Sequence, residues 1–140
     1  MALHANQLDV GDTHDELVVE NLTRTQIVQY AGASGDYNPL HTDDVYTTQV
    51  AGYPSVFAHG MLTMGMTGKM LTNYVGDGRL VTYGVRFTSQ VWPGDTLVTK
   101  ATVENVREED GQFFVDLSVS TTNQNGNVVI SGNATARIDP

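Results

Sequence analysis

The sequence predicts an α+β fold in which an antiparallel sheet packs on a long apolar helix. Residues 61–75 are apolar on nearly every face, which is typical of a buried helix. From residue 79 onward, apolar and polar residues alternate with the period of two that strands show. Strand-like sequence also precedes the helical region, so an α+β layer arrangement is the simplest packing. With 140 residues, of which 40% are hydrophobic, the chain is predicted to form one domain spanning 1–140.

The first half of the chain contains a predicted strand over 15–22, followed directly by a predicted helix over 23–34. Thr23 suits the N-cap position, and Gln26 has the spacing that completes a capping box. The apolar residues that follow lie at near-helical spacing and stop at a pair of glycines. The turn-rich region beyond them contains one further short helix, predicted over 43–50.

The segment 61–75 is expected to form a helix that ends at Gly76. Because a helix that is apolar all round is normally buried, we expect it to be covered on all sides. Gly65 and Gly68 each lower its intrinsic helix propensity by up to about 1 kcal/mol. Their presence predicts that another group packs closely against the helix backbone.

Four antiparallel strands are predicted after residue 79, separated by turns at 93–95, 108–111 and Asn125-Gly126. The inward-facing apolar residues are predicted to be Val81, Tyr83, Val85, Phe87, Val91, Leu97, Ala101, Val103, Phe113, Val115, Leu117, Val119, Val128, Ile130, Ala134 and Ala136. Since 140 residues cannot close such a sheet, pairing with a second copy is expected to cover an open edge.

Composition excludes several functions. The chain has no cysteine, which excludes disulfides and cysteine-based metal sites, and its four histidines lack the spacings typical of zinc ligands. The net charge of −9 disfavours nucleic acid and anionic membrane surfaces as partners. The N-terminal segment does not resemble a signal peptide, and no stretch approaches the roughly 18 apolar residues of a membrane span. A soluble, cytoplasmic protein is therefore predicted.

The chemistry-bearing residues are predicted to lie between residues 30 and 64. Asp36 and His41 flank the Asn38-Pro39 pair, whose turn or extended conformation lets both side chains point the same way. A carboxylate and an imidazole that converge on one water can act as base and acid. On the spacing alone, a plain turn with a structural histidine is the favoured interpretation.

The apolar helix begins at His59-Gly60-Met61. A glycine at a helix N-terminus lets a ligand carbonyl approach a backbone N–H, with the positive end of the helix dipole behind it. This is the layout of an oxyanion hole. The alternative is that Gly60 only eases the entry of the chain into the helix.

The segments GDYNPLH at 35–41 and HGML at 59–62 resemble the two signature blocks of the MaoC-like, (R)-specific enoyl-CoA hydratase family. The resemblance extends over nearly the whole chain. It implies a single hot-dog domain, in which a curved antiparallel sheet wraps around a long central helix and an overhanging loop carries Asp36 and His41. It also implies a homodimer or higher homo-oligomer, with a heterodimer as an alternative.

The activity that the resemblance implies is the reversible syn hydration of a trans-2-enoyl thioester to the (3R)-hydroxyacyl thioester. Asp36 and His41 would activate the water and move the proton, and the Gly60 N–H would polarise the thioester carbonyl. Asn38 and His59 would have orienting roles. The substrate is a thioester of coenzyme A or acyl carrier protein, with no other cofactor and no metal.

In the segment that precedes the apolar helix, three residues are predicted to contact the acyl group, namely Tyr53, Val56 and Phe57. A basic rim that binds the anionic carrier is predicted from Arg79, Arg86, Lys69 and Lys100. A hot-dog thioesterase is disfavoured, because the segment 61–75 contains no acidic residue. A non-catalytic or partner-dependent hot-dog subunit is the other alternative, although such a subunit is expected to have lost Asp36 or His41.

Overall fold

The computed structural model describes residues 3–140, so Met1 and Ala2 of the predicted domain lie outside the described residues. Its strands are β1 (Thr13–Val19), β2 (Leu80–Phe87), β3 (Leu97–Glu109), β4 (Gln112–Thr122) and β5 (Val128–Ile138). Its helices are α1 (Arg24–Ser34), α2 (Pro39–Thr42) and α3 (Gly60–Val75), with a 3₁₀ turn at Ala5–Gln7 and a π-helical turn at Tyr46–Val50. The strands form one antiparallel sheet in the order β1-β3-β4-β5-β2, which confirms the α+β prediction.

Helix α1 follows its local sequence signals closely. The Thr23 hydroxyl accepts from the Gln26 backbone N–H at 3.1 Å, and the Gln26 side chain accepts from the Thr23 N–H at 2.9 Å, which completes the predicted capping box. The helix ends at Gly35, whose φ of +75° lies in the left-handed region that glycine adopts without strain. The same glycine directs the chain into the segment that carries Asp36.

The short helix predicted over 43–50 is confirmed as a helical segment over 44–50, whose last five residues form the π-helical turn. The helix α2, which precedes it, was not predicted. Pro39 occupies the first turn of α2, and the Asn38 side chain accepts from the Leu40 N–H at 3.0 Å as its N-cap. The Thr47 hydroxyl donates to backbone carbonyls, with Pro39 O at 2.9 Å and Asp43 O at 2.7 Å as acceptors. These contacts fold the loop back on itself, and Thr47 is fully buried.

Strand β2 does not present all of its apolar residues to one face. Tyr83 and Val85 are half-buried as predicted, but Val81 is 53% exposed. The reason is a bulge, because the register with β5 shifts between Leu80 and Thr82 and leaves Val81 as the extra residue.

The predicted set of inward-facing residues needs two further corrections. Phe87, at the end of β2, is 53% exposed, and Val128 is 42% exposed. In β5 a register shift against Thr122 of β4 leaves Val129 as the buried residue in place of Val128. The alternation predicted for β4 is confirmed, with Val115, Leu117 and Val119 all buried.

Helix α3 is buried on one side only, which corrects the expectation that it is covered on all sides. Residues Met61, Gly65, Lys69 and Asn73 are exposed, and they form one stripe at helical spacing. A Cβ on Gly68 would contact the Tyr83 ring at 3.2 Å, so the predicted close packing is confirmed there. The same prediction is wrong at Gly65, where a Cβ would meet nothing within 4 Å.

The core between α3 and the sheet contains two clusters of buried apolar side chains, with Met70 and Leu71 in one, and Leu22 and Ile27 in the other. Three threonines are also fully buried. The Thr121 hydroxyl is hydrogen-bonded to Thr67 at 2.7 Å and to Thr99 at 2.8 Å, so one polar chain links α3 to the two central strands β3 and β4. Among residues 3–140, no helix is long and apolar enough to cross a bilayer.

Candidate active site

A cavity of about 400 Å³ lies at the N-terminus of α3. One wall comes from the loop after α1, a second from the start of α3, and a third from the chain that leaves β2. Its lining residues are Asp36, Phe57, Ala58, His59, Gly60, Met61, Thr63, Phe87, Thr88, Ser89, Gln90, Val91 and Val129. The cavity therefore contains three of the residues singled out from the two signature blocks, Asp36, His59 and Gly60.

The loop that carries Asp36 is held by short-range hydrogen bonds. The Asp36 N–H donates to Ser34 Oγ at 3.2 Å, and its carboxylate accepts from the Asn38 N–H at 3.2 Å. The Asn38 side chain caps α2, so in this chain it orders the loop. Asp36 remains exposed, so its carboxylate is accessible from the cavity that it lines.

The His41 imidazole has a defined tautomer. Its Nδ1–H donates to the backbone carbonyl of Phe57 at 2.6 Å, which leaves a lone pair at Nε2. Burial lowers the pKa of His41 below its ordinary value of 6.5, and His59 acts in the same direction. These effects outweigh the opposing influence of the Phe57 carbonyl and of Asp36, so the ring is neutral at pH 7 and can act as a base.

His59 connects the two parts of the site. Its ring is 2% exposed and stacks on the His41 ring at 3.8 Å between centroids. Its Nε2–H donates to the backbone carbonyl of Asp36 at 2.9 Å, which ties the Asp36 loop to the start of α3. Its Nδ1 is buried without a hydrogen-bond partner within residues 3–140. Burying a polar atom without a hydrogen-bond partner lowers the stability of the fold. A histidine at this position is therefore expected to make a favourable contribution elsewhere.

Asp36, His41 and His59 each bring one oxygen or nitrogen within 4.8 Å of the other two. The set has the composition of a metal site, but the two rings are stacked with only 25° between their planes. Their in-plane lone pairs therefore do not converge on one point. The arrangement is suited to proton transfer through a water rather than to chelation. His41 itself is not among the lining residues of the cavity, but its ring stacks on that of His59, which is.

Gly60 is the first residue of α3, and no side chain caps this helix. The first amides of a helix have no carbonyl acceptor in the preceding turn, so their N–H groups are directed out of the helix N-terminus. A Cβ on Gly60 would lie 3.0 Å from the Phe87 ring, so only glycine fits here without displacing that ring. Gly60 also lines the cavity, so its N–H, which has no acceptor within the helix, is located at the cavity wall.

The three residues predicted to contact the acyl group are not all brought together. Phe57 lines the cavity, whereas Val56 is buried and Tyr53 lies behind Phe57, with 5.0 Å between the ring centroids. Trp92, which is the sole tryptophan, packs against Phe57 at 5.5 Å and lies 6.5 Å from Tyr53, so the three rings form one cluster. These aromatic rings support the wall that holds His41.

The predicted basic rim is not formed within one chain. Lys69 and Lys100 lie beside acidic residues of β1, whereas Arg86 lies on β2 at the opposite edge of the sheet. Arg79 is paired with Asp139 at 2.8 Å. No arginine or lysine is among the lining residues of the cavity within the described chain.

Sequence reasoning missed the wall formed by residues 87–90. It treated Phe87 and Val91 as inward-facing residues of one continuing strand, but β2 ends at Phe87. The Thr88 hydroxyl donates to the Val128 carbonyl at 2.8 Å, and the segment then turns over the cavity. Three consecutive polar residues after an alternating strand were the available signal.

The fold and the site together define a hot-dog protein with a carboxylate–imidazole pair at the N-terminus of its central helix. The chain belongs to the family described as "MaoC like domain", whose match covers residues 6–125, and this confirms the resemblance found from the signature blocks.

Relatives in this family are hydratases and dehydratases. The chain is 30% identical over 132 residues to an (R)-specific enoyl-CoA hydratase of Rhodospirillum rubrum, covering 93% of this chain and 89% of that protein. It is 37% identical over 91 residues to 3-hydroxyacyl-thioester dehydratase Y of Mycobacterium tuberculosis, covering 63% of this chain. The chain spans only 31%, 25% and 10% of three of its curated relatives, which are longer proteins.

The solved structures agree in fold. R-hydratase PhaJ1 from Pseudomonas aeruginosa in its unliganded form superposes with a TM-score of 0.85 at 24% identity, over 99% of this chain and 86% of that one. At this identity the likeness establishes the hot-dog fold.

Proposed function

We propose that the protein is an (R)-specific enoyl-thioester hydratase, which in the reverse direction dehydrates (3R)-hydroxyacyl thioesters. The observation that carries the proposal is that Asp36, His41 and His59 bring polar atoms within 4.8 Å of one another, while Asp36 and Gly60 line the same cavity at the N-terminus of α3. The (R)-specific hydratase of Rhodospirillum rubrum supports the same activity.

The acid–base pair is arranged to hold one water. A separation of up to 4.8 Å between the Asp36 carboxylate and a His41 nitrogen accommodates a bridging water, because two hydrogen bonds of about 2.8 Å span it at an open angle. The neutral imidazole and the carboxylate are both acceptors, so they orient both protons of that water. Its remaining lone pair is then directed toward the substrate.

In the proposed reaction the water oxygen forms a bond to C3 while one of its protons passes to the pair. The C2–C3 π electrons shift toward the carbonyl, and negative charge develops on the thioester oxygen. The Gly60 N–H stabilises this charge, with the dipole of the 16-residue helix α3 behind it. The pair then returns a proton to C2 on the same face, so the net change is the syn addition of one water.

We propose a homodimer as the working unit, with a heterodimer as the alternative. Strands β1 and β2 are the two edges of the sheet, and β2 has one neighbour, β5. Pairing of an edge strand with a second copy satisfies its free backbone groups. The substrate is proposed to be an acyl thioester of coenzyme A or acyl carrier protein, and the cytoplasmic location stays a prediction.

The test is the loss of the ultraviolet absorbance of the conjugated enoyl thioester when the protein is added to crotonyl-CoA, with chiral analysis of the product. Asp36→Asn and His41→Ala are each expected to lower kcat by about 10²- to 10⁴-fold, because each removes one member of the acid–base pair. His14→Ala, a histidine on β1 stacked on Tyr74, is the matched control and is expected to retain wild-type turnover.

Turnover to the (3R) product that depends on both residues supports the hydratase. Absence of turnover on crotonyl-CoA and on longer or branched enoyl thioesters would favour a non-catalytic or partner-dependent subunit. The hydratase is preferred because Asp36 and His41 are both present and are positioned together.

A further inference from the structure

The cavity has two chemically different ends. Its floor is made of buried residues, with Val129 at 1%, Thr63 at 3% and Val91 at 4% exposure. Its rim is formed by the exposed residues 87–90, which leave the end of β2. Gly60 lines the same cavity as the floor residues and the rim residues. An amphiphilic ligand therefore has one orientation that suits both ends.

A thioester substrate must enter with its acyl group first, because the thiol side is attached to a carrier that remains in solvent. With the carbonyl at the Gly60 N–H, the apolar acyl group lies against the buried floor. The sulfur and the arm attached to it then pass outward along the rim. That arm is the pantetheine part of 4′-phosphopantetheine in both coenzyme A and acyl carrier protein, and up to its terminal phosphate it is an uncharged chain with two amides and one free hydroxyl.

The rim has the chemistry that such an arm requires. Thr88 is engaged, since its hydroxyl donates to Val128 O at 2.8 Å. Ser89 and Gln90 are the next two polar residues, and both are exposed and line the cavity. A serine hydroxyl and a glutamine amide each both donate and accept, which matches the peptide-like amides of pantetheine.

The charge of the cavity lining also favours an uncharged ligand. No arginine or lysine is among the lining residues of the described chain, and the protein carries a net charge of −9. A phosphate-binding site needs basic side chains or a cluster of amides. The cavity therefore offers a neutral polar rim and no positive charge for the nucleotide of coenzyme A.

We propose that Ser89 and Gln90 form a binding site for the pantetheine arm, and that this arm, rather than the coenzyme A nucleotide, is what the protein recognises on the thiol side of its substrate. This rests on the proposed function for the position of the carbonyl. It names specificity-determining residues on a segment with no part in the acid–base pair. Thioesters of either carrier are then accepted through the part that they share.

The test is the affinity for butyryl-pantetheine, whose saturated acyl group cannot be hydrated, measured by titration calorimetry. Ser89→Ala and Gln90→Ala are each expected to weaken binding by about 3- to 10-fold, the range for one neutral hydrogen bond. Neither change is expected to alter the affinity for S-propyl butanethioate, which has no amide, by more than about 2-fold. The matched control is Gln112→Ala, an exposed glutamine at the start of β4, which is expected to leave both affinities unchanged.

Butyryl-CoA is expected to bind wild-type protein within about 3-fold of butyryl-pantetheine, because no ion pair to the nucleotide is formed. Equal weakening for butyryl-pantetheine and S-propyl butanethioate, or no weakening for butyryl-pantetheine, would show that Ser89 and Gln90 do not contact the arm. A 10-fold or greater preference for butyryl-CoA would overturn the neutral-rim argument. Since these ligands do not react, the result stands apart from the hydratase assay, and failure of either proposal is recognised separately.

Discussion

A substitution at His59 can distinguish a role in positioning Asp36 from a role in the stability of the fold. The proposed change is His59→Leu, which keeps a side chain of similar size but has no N–H donor. It removes the 2.9 Å hydrogen bond to the Asp36 carbonyl and the stacking on His41 at 3.8 Å. These contacts are worth about 1 kcal/mol each. It also removes the buried, unpartnered Nδ1, whose burial costs about 1–3 kcal/mol.

These opposing effects nearly cancel, so the free energy of unfolding is expected to change by no more than about 1 kcal/mol. Activity is expected to respond differently. Without the bond to its carbonyl, Asp36 is no longer tied to α3, and a displacement of about 1 Å in a catalytic group can cost about 10²-fold. We therefore expect kcat to fall by about 10- to 100-fold for His59→Leu while Tm stays close to that of the wild type.

The comparison that decides the matter is His59→Gln, in which the amide Nε2–H lies about as far along the side chain as the imidazole Nε2–H. It is expected to recover kcat to within about 5-fold of wild type, because the donor to Asp36 is restored. Crotonyl-CoA hydration and thermal unfolding by circular dichroism supply the two readouts. An equal loss of kcat in the Leu and Gln variants would refute the role of the hydrogen bond, and unchanged kcat in both would refute any positioning role.

Three further predictions follow from the same structure. Because burial lowers the pKa of His41 below 6.5, the neutral base persists at pH 6.5, and kcat/KM is expected to fall only as the pH drops further; an acid limb centred above pH 6.5 would contradict this. Thr121→Val removes two buried hydrogen bonds and is expected to destabilise the protein by about 2–4 kcal/mol in urea unfolding. The triple variant with Thr67→Val and Thr99→Val as well is expected to lie closer to wild type, because no hydroxyl is left unpaired; additive losses would disprove this. Gly132→Ala places a Cβ against a backbone carbonyl of β2, so the free energy of unfolding is expected to fall by about 3 kcal/mol or more. A Tm close to that of the wild type would show that β2 can shift to accommodate the methyl group.

Features that depend on near neighbours in the chain were predicted well from the sequence. The Thr23–Gln26 capping box, the end of α1 near Gly35 and the turn at Asp110-Gly111 all formed as expected. Each is specified by a few adjacent residues and their preferred dihedral angles, so no distant contact is needed. The signature blocks likewise identified the loop and the helix start that meet at the cavity.

The predictions that went wrong concern which side of an element is covered. Val81 was expected to face inward, but a bulge in the pairing with β5 made it the extra residue. Gly65 and Gly68 are equivalent in the sequence, yet only Gly68 has an aromatic ring against it, because Tyr83 of β2 crosses α3 at that turn. Register and crossing position are set by residues far apart in the chain, and their local sequence does not record them.

The order of the strands and helices along the chain, the residue types at the site and the resemblance to a hydratase family could all be read from the residues alone. The stacking of His59 on His41, its hydrogen bond to Asp36 and the completion of the cavity by residues 87–90 became visible only in the folded chain. These contacts join segments separated by tens of residues. Their geometry follows from the packing of α3 against the sheet, which no local pattern specifies.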